Sequence, residues 1–389
     1  MQRLDSQKPH LPAAPDSPVH SKPRVAIVYT HFPHYRRAVF EALRTSERYE
    51  YQFFYDRHGV DPTIQSAHED QHGKSLRTLS FCGLMIQPAF LQYCLGIHFD
   101  AYIFLGNPYI LSTWLYAPLL RMQKGKVAFW THGWIGTREG LKGTIRSIFY
   151  QLADILLLYG TRAKEIGKGK RFPPERMHVI YNSLDYAAQQ EARGRQVGKP
   201  AEISGAYFLC VSRLVSNVQL ELAIEAAANL SRNSKSNVQL VIVGDGPERQ
   251  RLMAFAAACK ADVRFLGPIY DEDRLAGLFM NSLAVVSPGK VGLLAMHSMA
   301  YGTSVITHDD LDLQMPESEA IQPPTTGLFF RRGDLDALCE AMSHYLGAID
   351  MTPRREEAIN TIEARYTPEV QRELIERAIA QMLQESYST

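Results

Sequence analysis

The glycines and lysine of SPGKVG, set directly before the helix-like run LLAMHSMAYG, are the residues of this chain best suited to holding an anion. Gly289 and Gly292 let the backbone come close to a ligand. A helix start offers the amides of Val291, Gly292, Leu293 and Leu294 with a partial positive charge behind them. Such a loop is a seat for a diphosphate, to which Lys290 either adds a point charge or contributes nothing as an exposed surface lysine. Arg213 ends the run FLCVSR, where a guanidinium reaches a phosphate pair in bidentate fashion; a solvent-facing loop arginine is the plainer alternative. A second glycine turn, Gly244 and Gly246 in VIVGDGPE, either gathers amides around phosphate or simply permits a sharp reversal before Pro247. His132, in FWTHGW, follows a strand-like run and can orient a hydroxyl, or else packs between Trp130 and Trp134.

These residues need strands that end beside one another. Short β-branched or aromatic runs occur at residues 24–30, 100–106, 126–133, 153–160 and 177–185, separated by segments with helical spacing of apolar residues. After a polar stretch, AAQQEARGRQVGKPAEISG, the alternation restarts with runs at 206–214, 237–248, 263–269, 283–288 and 304–309. Alternation of this kind predicts two doubly wound sheets, and ligands of such sheets lie at the carboxyl ends of the strands. Arg213, Gly289 and His132 all fall at such ends.

Composition agrees. A chain of 389 residues suits two domains, because a single core stops growing at about 250 to 300 residues. The 46% hydrophobic and 21% charged content is that of a globular protein. The formal charge of +1 hides an asymmetry: residues 1–190 hold 23 Lys and Arg against 15 Asp and Glu, whereas the remainder is acidic. A basic half attracts an anionic substrate, a nucleic acid or an anionic membrane face, and charge alone does not separate them. The basic residues lack the interleaved aromatic platforms of a nucleic-acid module, so no nucleic-acid partner is expected. Five cysteines without CxxC spacing suggest neither a disulfide framework nor a zinc site, and fit a reducing cytoplasm. The opening 22 residues read as a disordered, Pro-rich tail.

The carboxyl-terminal half is similar to the donor-binding domain of family 4 glycosyltransferases of the GT-B fold. VSRLV, LAIEAA, LVIVGDGPE, VRFLGPI, the HSMAYGTSVI block, ESEAI with TGLFF, and GDLDAL occur in the family's order over about residues 207–342. HVIYNSLD resembles the family's interdomain junction, and WTHGW a His-bearing loop of its acceptor domain. The resemblance implies two Rossmann-like domains facing across a cleft, and retaining transfer from a nucleoside-diphosphate sugar with no cofactor and no metal. In that family an Arg and a Lys clamp the diphosphate and two Glu flank the glycine loop. Here Arg213 is kept, Val218 stands at the lysine position, and Gly289 and His297 stand at the glutamate positions, which describes a variant subfamily. By the same resemblance His297 meets a ribose hydroxyl, Glu319 a ribose or sugar hydroxyl, and His34, Tyr35 and Arg36 in THFPHYRR the acceptor. A surface carboxylate is the alternative for Glu319.

The expected organisation is an acceptor domain over residues 23–186, joined by a carboxyl-terminal helix at 367–389, and a nucleotide-sugar domain over 187–366. The expected activity is sugar transfer to a glycan or lipid-linked acceptor in bacterial envelope or capsular polysaccharide synthesis, with His132, Arg213 and His297 in catalytic roles. The setting is the cytoplasm, at the inner face of the membrane. There the basic and apolar segment 139–176 either makes peripheral contact with anionic lipid or is a core helix followed by a solvated loop. A catalytically degenerate scaffold and a nucleotide-sugar epimerase of the same fold are the rival readings.

Overall fold

The computed structural model describes residues 22–57, 73–136, 140–195, 198, 200, 201, 203, 205–233, 238–347 and 352–384. Apart from Lys22, the expected tail lies outside them. The first sheet is built from β1 (Arg24–Val28), β2 (Glu50–Tyr55), β3 (Lys74–Ser75), β6 (Ala101–Leu105), β7 (Lys126–Thr131), β8 (Ile155–Leu158) and β9 (Met177–Val179). Its order is β3-β2-β1-β6-β7-β8-β9, every pairing parallel. A separate ribbon of β4 (Leu79–Phe81) and β5 (Leu84–Ile86) sits beside it. The second sheet contains β10 (Tyr207–Val211), β11 (Gln239–Val243), β12 (Val263–Gly267), β13 (Val285–Ser287), β14 (Val305–His308) and β15 (Gly327–Phe330), in the order β12-β11-β10-β13-β14-β15.

Periodicity passes over β2 and β15, whose runs EYQFFY and GLFF are short and aromatic. They are strands because β1 and β14 offer them unpaired parallel edges. The order of each sheet reverses once, between β1 and β6 and between β10 and β13. Crevices open at these switch points. The loops holding Arg36, Arg213 and Gly289–Gly292 follow β1, β10 and β13.

Both faces of the first sheet are covered. Helices Leu91–Gly96, Leu111–Met122 and Gly140–Tyr150 cover one, over a core that includes Phe104, Phe129, Trp134 and Phe149. Arg37–Arg44 and the last helix, Pro368–Gln384, cover the other. Pro368 and the Thr367 hydroxyl, which accepts from the Val370 amide at 3.3 Å, start that helix, and it packs on β8 and β9 with Ile375, Ala378, Ile379 and Met382 in the core. The chain therefore leaves the second domain and finishes on the first. The segment 139–176 is not one surface element: its helix ends at Tyr150, β8 is fully buried, and Thr161–Lys168 faces the second domain.

Candidate functional site

Three helix starts here carry an aspartate cap of their own. Asp185, Asp271 and Asp334 accept the amides of Ala188, Arg274 and Ala337 at 3.2, 2.7 and 3.0 Å. Two helices at the cleft do not. Thr161–Lys168 begins after Gly160, and its cap comes from the other domain: Glu319 accepts the Thr161 amide and hydroxyl at 2.7 Å each and the Arg162 amide at 2.8 Å. A Cβ on Gly160 would lie 2.5 Å from that carboxylate, so glycine admits it. Glu319 is thus an interdomain clasp and not a free reader of sugar hydroxyls, because both its oxygens are taken. An ion pair between Arg162 and Asp312 stands beside it.

Helix Leu293–Ala300 is the second exception, with Gly292 as an N-cap that has no side chain to offer. The Ala295 amide turns back to the Gly292 carbonyl at 2.9 Å, while those of Leu293 and Leu294 belong to the first turn, which has no intrahelical acceptors. Val291 does not join this cradle. It is buried, and its amide donates to Gln314 Oε1 at 2.8 Å, with Gln314 Nε2 anchored in turn on Thr307 and His308. Gly289 is tight for another reason: a Cβ would lie 2.5 Å from the Asn217 carbonyl oxygen and 2.8 Å from that of Val218. No glutamate fits at this position in this backbone. Lys290 is exposed between them.

The second glycine turn has a structural explanation. Gly244 donates to the Gly267 carbonyl at 2.8 Å, and Gly246 to its neighbour Asp245 at 2.8 Å. Cβ atoms there would strike the Ser212 and Leu214 carbonyls at 1.8 and 2.3 Å. The turn zips onto the loop that carries Arg213, and the amides of Gly244 and Gly246 are both engaged within the protein, which corrects the phosphate reading for these two residues. Exposed Arg213 lines a pocket of about 630 Å³ with Gly244, Asp245, Pro268, Ile269 and Tyr270.

His297 is not free for a ribose. Its Nε2 lies 2.8 Å from Glu272 Oε1, to which the Tyr301 hydroxyl also donates, and its ring packs against Phe279 at 4.9 Å. Burial alone would raise the Glu272 carboxyl, but the His297 and Tyr301 bonds outweigh it and hold the group below its usual value. His297 therefore supports the start of helix Glu272–Asn281.

Across the cleft, Trp130 and Trp134 turn to opposite faces of the first sheet and leave His132 between them at the cleft wall, its ring 4.7 Å from that of Tyr159. Burial, with Arg36, Arg146 and Lys290 adding to it, pushes His132 down to about 4, so it is neutral at physiological pH. Lys290 of the glycine loop is among the charges that act on His132. A cavity of about 450 Å³ opens here, lined by His132, Trp134, Arg162, Gln314, Met315 and Glu319 among others.

Of the first-loop trio, His34 is exposed and Tyr35 partly so, whereas Arg36 is buried. Its guanidinium donates to the Tyr159 hydroxyl and lies over the Trp130 ring at 5.1 Å, and Nη1 has no partner among the described residues. Burial opposes its charge, but Tyr159, Tyr29, Tyr35 and Glu317 favour it more strongly. Glu317 is the functional candidate that sequence reasoning missed. It is 3% exposed, accepts from Asn182 Nδ2 at 2.8 Å, and leaves Oε2 without a partner beside Gly292. Burial pushes its carboxyl up, against Asn182 and Arg36. The resemblance drew attention to Glu319, two residues along the same short turn, and only the fold shows that Glu317 is buried between Asn182 and Gly292 while Glu319 caps a helix.

Residues 198–361 match the family model described as glycosyl transferases group 1. The architecture is GT-B. The apo lipopolysaccharide outer core galactosyltransferase WaaB is similar at 17% identity, with a TM-score of 0.68 over 92% of this chain and 99% of that one. Sucrose-phosphate synthase from Thermosynechococcus elongatus is similar at 18% identity, with a TM-score of 0.68 over 94% and 100%. Anabaena HepE in complex with UDP is similar at 12% identity, with a TM-score of 0.68 over 92% and 100%. No curated protein matches the sequence. The expectation of two Rossmann-like domains is borne out, and at these identities the structural likeness is one of fold.

Proposed function

We propose that this protein is a retaining, metal-independent GT-B glycosyltransferase. It moves a sugar from a nucleoside-diphosphate donor to a glycan or lipid-linked acceptor, in the cytoplasm, during envelope or capsular polysaccharide synthesis. The observation that carries the reading is the uncapped start of helix Leu293–Ala300 with Lys290, set against a neutral His132 on the opposite domain. The first-turn amides, Lys290 and Arg213 stabilise the charge that develops on the diphosphate as the anomeric C–O bond breaks. The acceptor hydroxyl, oriented by His132, forms the new bond and passes its proton to the leaving phosphate oxygen. Glu317 Oε2 accepts from a donor-sugar hydroxyl, a part that Gly289 has no side chain to play, and Arg36 faces the same space.

The test is thermal stabilisation across a panel of nucleoside mono- and diphosphates, followed by nucleoside-diphosphate release from the matching sugars with and without a crude lipid and glycan extract. A ligand at about 100 times its Kd adds about 2.7 kcal/mol. Stabilisation by one diphosphate, reduced in Lys290→Ala, supports the reading. Turnover of the donor without any acceptor favours the epimerase, and no stabilisation by any nucleotide favours the scaffold.

A further inference from the structure

Seventeen large apolar side chains are exposed among the described residues, and thirteen of them lie between Leu79 and Ile148. Apart from Tyr109, in the loop before Leu111–Met122, they belong to the β4–β5 ribbon and to the three helices that cover one face of the first sheet, and these elements touch. Met85 bridges to Ile110, the Gln87 amide donates to Ser112 Oγ at 3.1 Å, and the Trp114 ring lies 5.0 Å from Phe149.

The ribbon shows the pattern most plainly. Leu79 pairs with Ile86 and Phe81 with Leu84, so all four side chains share one face, and that face is the exposed one. Phe81, 80% exposed, stands next to the turn at Cys82 and Gly83, both at positive φ. A ribbon on a globular surface ordinarily turns its apolar face inward. The helices continue the surface with Leu111, Leu115 and Met122 on one, and Leu141, Ile145 and Ile148 at i, i+4, i+7 spacing on another. Exposed apolar side chains gathered on touching elements in this number mark an interaction site.

Charge identifies the occupant. Residues 73–150 contain eight Lys or Arg and two acids, Asp100 and Glu139. Asp100 is already engaged by the Arg24 amide at 2.7 Å. Two copies meeting through this surface would bring their cations together, whereas an anionic bilayer accepts both the apolar side chains and the surrounding lysines and arginines. No described helix is long and apolar enough to cross a membrane. We infer that this face of the first domain, led by the ribbon tip, docks onto an anionic lipid surface without spanning it. The inference shifts the expected membrane contact from the segment 139–176 to a surface of which only helix Gly140–Tyr150 belongs to that segment. It does not rest on the reaction proposed above.

The experiment is flotation of the full chain with vesicles of phosphatidylglycerol and phosphatidylcholine in equal parts, and with phosphatidylcholine alone. The expected result is flotation with the mixed vesicles only, reversed by high salt. About a tenfold loss of the bound fraction is expected in Phe81→Ser/Leu84→Ser and in Leu115→Ser/Met122→Ser. Those side chains are exposed, so unchanged thermal unfolding shows that each variant folds. Retention of the wild-type chain in the soluble fraction, undiminished flotation of both variants, or a concentration-dependent dimer that the substitutions abolish would overturn the assignment. Nucleotide stabilisation, read on the same preparations, separates failure here from failure of the glycosyltransferase reading.

Discussion

His132 carries the clearest electrostatic signature at the residue scale. Its value drops from 6.5 to about 4 because burial and three cations disfavour the imidazolium. The unfolded chain therefore binds the proton more readily than the native one, and His132 lowers stability as pH falls from about 6.5 towards 4. Between pH 7.5 and pH 5 the loss from this one group is roughly 1 to 2 kcal/mol. His132→Gln should shrink the pH dependence of the denaturant midpoint by that amount, while His178, also pushed down to about 4, retains its own share. An unchanged slope would show that His132 is not held neutral by the fold.

The glycine loop and the helix it feeds form a unit at the element scale. A Cβ at Gly289 would press on two carbonyls of the loop after β10, whereas a Cβ at Gly292 would meet Met315 at 3.5 Å and Glu317 Oε2 at 3.9 Å, ordinary contacts. Gly289→Ala should therefore cost about 1 to 3 kcal/mol, by overpacking against backbone that has nowhere to move. Gly292→Ala should cost less, and chemical denaturation of the pair distinguishes them. Equal costs would mean that the loop moves as one body and that the close approach at Gly289 is not a constraint. In the resemblance Gly289 is a missing carboxylate; in the structure it is the residue that lets the loop close.

The two domains are held together at the whole-molecule scale by a few polar contacts, of which Glu319 is the most exacting. It satisfies two amides and a hydroxyl at the start of a helix in the other domain. Glu319→Ala should destabilise the chain by about 1 to 2 kcal/mol through the lost cap. It should also raise the radius of gyration measured by small-angle scattering, as the cleft loses its closing contact. Loss of stability without expansion would leave Glu319 a local cap and assign closure to the neighbouring ion pair of Arg162 with Asp312.

The sequence by itself determined the class of this protein. Alternation of buried strands and helices and the loops at Arg213 and Gly289–Gly292 are local signals, written in consecutive residues and legible without a partner. Tertiary structure decided what those residues do. Glu319 became a clasp because a helix in the other domain arrived uncapped. Val291 left the anion seat because Gln314 captured its amide, and His297 turned from ligand reader to support because Glu272 lay within reach. Glu317 lies inside the ESEAI motif, but nothing in the motif singles it out from Glu319, and the apolar ribbon face carries no motif signal. Their meaning comes from which atoms end unpartnered and which surface ends uncovered, and both are settled only when segments far apart in sequence pack together.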